Sequence, residues 1–584
     1  MMKIIRVDMS DLSVRSEEPS AEYAELGGRA LTSAIVAGEV PPRCHPLSAE
    51  NKLIFAPGVL TGTGAPCSGR ISAGAKSPLT GTIKESNAGG MAGIALSTLG
   101  VHALVIEGRP SAENADQWFR LVIDTDGVRI EPAGSIAGQG NYDTVAGLRE
   151  EFPGKPVFIT IGPAGEMCCG GASIGVTDVE GRPTRHCGRG GLGAVMGAKR
   201  VKAIIVDPSG GQRPKPADMD RFKQGAQQFN KALLGHPLTG ETLPTYGTNA
   251  LANVINEAGA FPTRNFSTGQ FEGTERISGE TQHDTILERG GQIAHACHRG
   301  CTMKCSRIYP DKDGNYLTKG PEYETVWAHG PNCGIDDLDA IARMDRIDDD
   351  LGLDTIEMGV TIGVAMEAGI IEFGDAEGAI GLLEEIRQRT PLGRLVASGA
   401  ETLGRAYGVH RIPTVKGQSL PAYDPRAMQG IGVTYATSTQ GADHTAGYAV
   451  TANVLGVGGK VDPLGTEGQV ELSRNLQIAT AAVDAAGLCL FVAFAVLDDG
   501  TALEGICQMM GGKYGREFTA DDYLALGRRT LAWERRFNTA AGFSPADDRL
   551  PEFFRTEKLA PHQTTFTMTD EQLDQVYDFV ESPQ

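Results

Sequence analysis

Three cysteines set four residues apart, Cys297, Cys301 and Cys305, impose the hardest constraint on how this chain can fold. Thiolates at that spacing reach three corners of a cuboidal iron–sulfur cluster from one loop or irregular helix, and leave the fourth corner to a distant part of the chain. The best candidate for that corner is Cys489, in Asp484-Ala-Ala-Gly-Leu-Cys489-Leu490. A fold that satisfies the pattern must therefore close residues 297–305 onto residue 489. Cysteines stacked on a core helix are disfavoured, because His295, His298, Arg299 and Lys304 make the stretch too polar for a buried face. Zinc usually takes paired cysteines close in sequence, and here the fourth lies far away. The radical enzymes that use S-adenosylmethionine carry Cys-x3-Cys-x2-Cys near the start of a barrel, whereas this triplet has a second gap of three and sits mid-chain.

The other cysteines do not form a disulfide framework. The chain holds 11 in 584 residues, an odd number in a long chain. The net charge of −20 argues against nucleic acid and against anionic membrane surfaces. No apolar run approaches the ~18 residues of a membrane span, and Met1–Arg6 lacks the apolar stretch of a signal peptide. A cytoplasmic location is expected.

Short apolar runs bounded by Gly and Pro predict an α+β layout. Lys3–Val7, Leu53–Ala56, Ala103–Glu107, Phe119–Ile123, Val157–Ile161 and Ala203–Val206 read as strands, with Gly89–Leu99 a helix among them. Gln212–Ala217, with two prolines, marks a boundary. Beyond it the period turns helical at Met219–Leu234, Asp337–Leu351, Gly378–Arg389 and Pro391–Tyr407, until two prolines interrupt His410–Leu420. The expected domains are 1–210, β-rich, then 211–412 and 413–584, both mostly helical.

A second pattern occurs twice. Asp349-Asp-Leu-Gly-Leu353-Asp354 and Asp484-Ala-Ala-Gly-Leu488-Cys489 share Asp-x-x-Gly-Leu. Each glycine can end a helix and bring backbone to a ligand. Each carboxylate accepts hydrogen bonds and so suits a heterocycle rich in N–H donors. Either copy alone is an ordinary helix end; the second copy, however, runs straight into the orphan Cys489. The glycine count, 77, fits backbone brought close to a bound group. One glycine run misleads: Gly188-Arg-Gly190-Gly-Leu-Gly193 imitates a dinucleotide fingerprint. No strand runs directly into Gly188, and the next strand starts too soon for a crossover helix.

With these residues in view, the chain resembles the tungsten-containing aldehyde:ferredoxin oxidoreductases along its whole length. The resemblance runs through Glu25-Leu-Gly-Gly-Arg29-Ala-Leu, Arg70-Ile-Ser-Ala-Gly-Ala-Lys-Ser-Pro-Leu-Thr-Gly81 and Asn87-Ala-Gly-Gly90. It continues in Cys187-Gly-Arg-Gly-Gly-Leu-Gly-Ala-Val-Met-Gly-Ala-Lys199, the cysteine triplet and both Asp-x-x-Gly-Leu motifs. It implies a tungsten-bis-molybdopterin cofactor at the domain interface, a [4Fe–4S] cluster on Cys297, Cys301, Cys305 and Cys489, and Mg2+ bridging the pterin phosphates. It also implies Asp349, Leu353 and Asp354 on one pterin and Asp484, Leu488 and Leu490 on the other. Arg70, Asn87, Gly89, Gly188 and the Cys187 backbone would line the phosphates, where an Arg fork and exposed glycine amides bind well. Cys187 replaces a small residue, at no cost if only its carbonyl is used.

Glu324 and His444 match the family's metal-proximal acid and base. The expectation is that His444 donates to the aldehyde oxygen while Glu324 takes a proton from attacking water. Their neighbours Glu322 and Asp443 are the competing assignments. The implied reaction turns aldehydes into carboxylic acids, with electrons leaving singly to a ferredoxin or a ferredoxin-like subunit, with a flavin subunit of an oligomer as a further expected acceptor. His298, Arg299 and Lys304 are expected to form a basic dock for that partner. Glu280-Thr-Gln-His283, the one Glu-x-x-His, reads as a surface loop. The competing functions are a pterin-dependent reductase of an aromatic acyl thioester on the same scaffold, and an electron-carrying subunit that has lost its pterin.

Overall fold

The N-terminal third builds two six-stranded sheets of the same topology. In the computed structural model, which describes residues 2–581, the first sheet contains β1 (Lys3–Asp8), β2 (Ser13–Glu17), β3 (Leu53–Pro57), β4 (Ile71–Lys76), β5 (Ile83–Ala88) and β6 (Val101–Glu107). The second contains β7 (Phe119–Asp124), β8 (Gly127–Pro132), β9 (Val157–Thr160), β10 (Ile174–Val176), β11 (Arg185–Cys187) and β12 (Val201–Val206). The orders are β2-β1-β6-β3-β4-β5 and β8-β7-β12-β9-β10-β11. In each, the sixth strand returns parallel to the first and all other pairs are antiparallel. The edge strands β5 and β11 lie against each other. Each feeds a glycine turn and then a short helix, Ala92–Thr98 or Leu192–Ala198. Asn87-Ala-Gly-Gly90 and Cys187-Gly-Arg-Gly190 are therefore equivalent turns, brought together at the seam. Gly90 shows how close they are: at φ +86°, an added Cβ would sit 2.7 Å from the Thr177 carbonyl.

All six expected strands form, some extended by a residue or two. β4 and β5 were not expected, since Ile71–Lys76 alternates only small residues and Ile83–Ala88 carries four polar ones in a row. Nor was the helix Gly28–Glu39, whose first nine residues are all buried, so no polar face marks it in the sequence. Beyond Met219 the chain is mostly helical, as expected, with a three-stranded sheet of β13 (Gln292–His295), β14 (Ser306–Pro310) and β15 (Tyr316–Lys319) inserted around the cysteine triplet. Asp337 caps the helix Leu338–Leu351 by accepting from the amides of Asp339 and Ala340. The stretch Pro391–Tyr407 is two helices, Pro391–Ala397 and Ala400–Tyr407, broken at Gly399 with φ +102°. Glu280 and His283 lie on a helix, Gly279–Glu288, rather than in a loop. No helix among the described residues is long and apolar enough to cross a membrane.

The helical part is clamped onto the sheets by backbone. Val59 and Leu60 donate to the carbonyls of Ala485 and Ala486, and Arg70 N to that of Gly487. Gly487 ends the helix Gln469–Ala486 at φ +77°. A Cβ there would stand 2.4 Å from Thr61 Oγ1 and 2.7 Å from Gly58 Cα. Gly487→Ala is expected to cost about 1–3 kcal/mol in left-handed backbone strain alone, and more from the clash. It should lower the thermal midpoint; an unchanged midpoint would contradict this packing.

Candidate functional site

The triplet loop, the second motif and the first sheet meet at five sulfurs. Cys297, Cys301, Cys305 and Cys489 come together as the sequence requires, and none is in a disulfide. Arg70 Nη2 donates to Cys489 Sγ at 3.3 Å. Its guanidinium also faces Cys297 and Cys305, whose negative charge would raise its pKa. The Lys304 amide donates to Cys301 Sγ at 3.4 Å. Gly89 lies at the same place, where a Cβ would be 3.3 Å from Cys297 Sγ and 3.7 Å from Arg70 Nη1. Soft thiolates with N–H donors turned toward them fit an iron–sulfur cluster.

The fifth sulfur, Cys67, went unremarked in the sequence because its partners are more than two hundred residues away. It is fully buried at φ +56° and lies 3.3 Å from Thr302 Oγ1. His298 is fully buried too, so it cannot belong to an exposed basic dock. Its Nδ1 donates to the Arg299 carbonyl at 2.9 Å, and one ring nitrogen lies within 4.8 Å of the Cys297 and Cys301 sulfurs. Arg299 and Lys304 alone remain on the surface, beside the half-buried Cys297 and Cys305.

The first Asp-x-x-Gly-Leu turn is packed against the second sheet. Ser173 N donates to the Gly352 carbonyl, Asp354 N donates to that of Gly171, and Leu353 bridges Ala172. The Asp349 carboxylate receives Lys319 Nζ at 2.8 Å on both oxygens, and His186 Nε2 lies 3.1 Å away. Burial favours the neutral acid, but Lys319 and His186 overcome it and hold Asp349 at about 2. Asp354 accepts from Arg189 Nε at 3.2 Å, and Arg189 also donates to the carbonyls of Ala442 and Ser419. In the second turn Asp484 has one salt-bridge partner, Arg29 at 3.3 Å, and burial pushes its carboxyl up to about 6. Leu488 is buried and Leu490 partly so. Cys187 is fully buried and burial pushes its thiol well up, which suits a residue that contributes only its backbone. Buried polar atoms without partners include Arg70 Nε, Arg185 Nε and Glu85 Oε1. Buried atoms of that kind cost about 1–3 kcal/mol each unless a ligand pairs them, so these residues fit a polar, phosphate-bearing cofactor. Lys319, His186 and Arg29 escaped the sequence reading as partners of the two motif acids, since each lies far from its Asp in the chain.

Glu324 and His444 face each other. His444 Nε2 lies 3.3 Å from Glu324 Oε1, while Glu324 Oε2 accepts from the Ala422 amide at 3.1 Å. Burial pushes Glu324 up to about 8 and the His444 imidazole down to about 4, against the pull of Asp443. Asp443 itself stays ionised: burial opposes this, but Lys84 and Arg189 hold its carboxyl far below the usual range. Glu322 is engaged elsewhere, accepting from Thr248 Oγ1 at 2.7 Å. The surround is aromatic. Tyr423 and Tyr448 share a 2.7 Å hydroxyl contact and each ring lies 6.0 Å from that of His444.

Comparison with known proteins agrees with this geometry. Residues 4–208 match the family described as aldehyde ferredoxin oxidoreductase, N-terminal domain, and residues 224–581 match aldehyde ferredoxin oxidoreductase, domains 2 and 3. The tungsten-containing aldehyde ferredoxin oxidoreductases of Pyrococcus horikoshii and Pyrococcus furiosus are each 37% identical, over 95% of this chain and 92% of theirs. An aliphatic sulfonate oxidoreductase, WOR-like subunit, of Pyrococcus furiosus is 27% identical over 77% of this chain and 76% of its own. The fold is shared with the active-site complex BamBC of benzoyl coenzyme A reductase, bound to 1,5-dienoyl-CoA, at a TM-score of 0.81 and 19% identity over 99% of this chain and 93% of that one. The paired sheets, the gathered cysteines and the two Asp-x-x-Gly-Leu turns are thus those of an oxidoreductase, and the chain belongs to the tungsten-containing aldehyde ferredoxin oxidoreductase family.

Proposed function

We propose that this enzyme oxidises aldehydes to carboxylic acids at a tungsten-bis-pterin centre and passes the electrons singly through a [4Fe–4S] cluster to a ferredoxin-type protein. The observation that carries the reading is the bridge at Arg70, whose guanidinium reaches the Cys489 sulfur while its own Nε, buried and unpartnered, is left for a cofactor. In this reading Cys297, Cys301, Cys305 and Cys489 hold the cluster. Asp349, Leu353 and Asp354 hold one pterin, and Asp484, Leu488 and Leu490 the other. Arg70, Asn87, Gly89, Gly188 and the Cys187 carbonyl hold the phosphates and Mg2+. The tungsten centre supplies the oxidising power, so that aldehyde and water give carboxylic acid, two electrons and two protons.

The proton chemistry falls to Glu324 and His444, with roles opposite to those expected from sequence. At neutral pH the Glu324 carboxyl, at about 8, keeps its proton, and the His444 ring, at about 4, is neutral. Glu324 then donates to the aldehyde oxygen, and His444 accepts a proton from water. The tyrosines around His444 exclude bulk water and strengthen both interactions. Arg299 and Lys304, exposed beside Cys297 and Cys305, offer positive charge to an acidic electron acceptor.

Aldehyde-dependent reduction of a small dye tests the pair. Glu324→Gln and His444→Asn should each lose about 10²–10⁴-fold in turnover with cofactor content unchanged. Because the acid form of Glu324 is the active one, wild-type kcat/KM should fall as pH rises through about 8. Glu324→Gln should lack that limb. Near-normal turnover in both variants, or a rate that climbs through pH 8, would remove these roles.

The cluster assignment has its own test in electron paramagnetic resonance. Cys301→Ala and Cys489→Ala should abolish the iron–sulfur signal. Cys333, which donates to the Ala328 carbonyl, and Cys507 lie outside the site, and their replacement should leave it intact. A signal that survived loss of Cys489 but not of Cys333 would refute the ligand set.

A further inference from the structure

Glu85 is a buried acid that the reaction leaves unused. It lies on β5, opposite Gly74 of β4, and is 6% exposed, with no hydrogen-bond partner on Oε1. Its nearest like charge is Asp484, which together with burial pushes its carboxyl up to about 8. The guanidinium that pairs with Asp484 is already committed. Arg29 makes two 2.9 Å bonds to Glu534 and reaches Asp484 at 3.3 Å. Glu534 is further satisfied by Ser33 at 2.8 Å and Thr439 at 2.5 Å. Lys84 acts on it only through its charge, since neighbours on a strand point to opposite faces and its ammonium lies 3.5 Å from Asp443. Three acids thus crowd Arg29, and Glu85, hydrogen-bonded only by the Ser72 hydroxyl of β4, keeps Oε1 without a donor.

We propose that Glu85 is a second acid, beside Asp484, that accepts the ring N–H and amino donors of the pterin at the second Asp-x-x-Gly-Leu turn. The inference rests on the assignment of Asp484 to a pterin. The chemistry selects the pterin ring over the other parts of the cofactor. Any negative charge on these two acids would repel a phosphate in a low-dielectric site, whereas N–H groups can bond a carboxyl oxygen in either protonation state. Asn87 lies two residues along the same face of β5, roughly 7 Å from Glu85 at strand spacing. One strand therefore offers acceptors for a donor-rich ring at Glu85 and a neutral amide for a phosphate-bearing end at Asn87. Nothing in the local sequence announces this, because Lys84-Glu85-Ser86 reads as a solvated turn until the fold buries it.

The test is the pterin and tungsten content of the purified full chain, with pterin released by oxidative denaturation and read by its fluorescence. Glu85→Ala should retain about tenfold less pterin than wild type. Glu85→Gln, which keeps one acceptor oxygen, should fall between the two. Asp484→Asn, measured alongside, separates the two claims. If Asp484→Asn loses pterin while both Glu85 variants stay at the wild-type level, this inference is overturned and the proposed site stands. If Asp484→Asn also stays at the wild-type level, the pterin assignment fails and this inference with it. Should Glu85→Ala not fold, the isosteric Gln variant decides: several-fold loss supports the role and wild-type content overturns it.

Discussion

Two backbone hydrogen bonds on one residue hold the functional centre together. Cys67 N donates to the Gly300 carbonyl of the triplet loop, and the Cys67 carbonyl accepts from Cys489 N, both at 2.9 Å. The segment between the third and fourth strands is thereby stitched to the triplet and to the fourth cysteine at once. Those two sets of ligands are remote in the chain, so their encounter is a long-range closure that local propensity cannot secure. Cys67 takes a left-handed φ of +56° to make it, an unusual conformation for a residue with a side chain. Three residues further on, Arg70 uses its amide on Gly487 and its guanidinium on Cys489. Everything proposed about electron flow depends on this stitch, because it brings the triplet loop to Cys489, the residue that directly follows the second Asp-x-x-Gly-Leu turn.

Charge inside the molecule follows the same logic of bringing distant groups together. Arg29 from the N-terminal helix pairs with Glu534 from a helix more than five hundred residues away. Breaking a buried pair of this kind typically costs about 3–5 kcal/mol, since it strands a charge. Around it lie acids whose pKa values diverge by environment. Asp349 is held at about 2 by Lys319 and His186, while Glu324 and Glu85 are raised to about 8 by burial. The ionised acid is matched by side chains of the protein itself; the raised ones each keep a buried oxygen without a hydrogen bond, Glu324 Oε1 having only the His444 ring 3.3 Å away.

Much of this was legible in the sequence, for reasons that are local. The cysteine triplet and the two Asp-x-x-Gly-Leu turns are short patterns whose chemistry is carried by adjacent residues, and helix ends at Gly352 and Gly487 follow from their left-handed backbone. The expected strands were apolar runs, and they form. What escaped was structure whose residues answer to something other than a core. β5 carries Lys84, Glu85 and Asn87, so the alternation that marks a strand is missing, and in β4 the alternating residues are small, Ala73 and Ala75 against Ser72 and Gly74. The helix Gly28–Glu39 is buried through its first nine residues, so its Arg, Thr and Ser do not mark a solvent face. Glu324 and His444 lie side by side, but the burial that raises one and lowers the other cannot be read from neighbours in the chain.

The central claim is that one chain gathers a pterin-held metal and an iron–sulfur cluster at the junction of its two sheets and its helical part. Elemental and pterin analysis of protein from cells supplied with both tungstate and molybdate tests it most directly. The account predicts one tungsten, two pterins and four irons per chain; zinc with no iron and no pterin would contradict it.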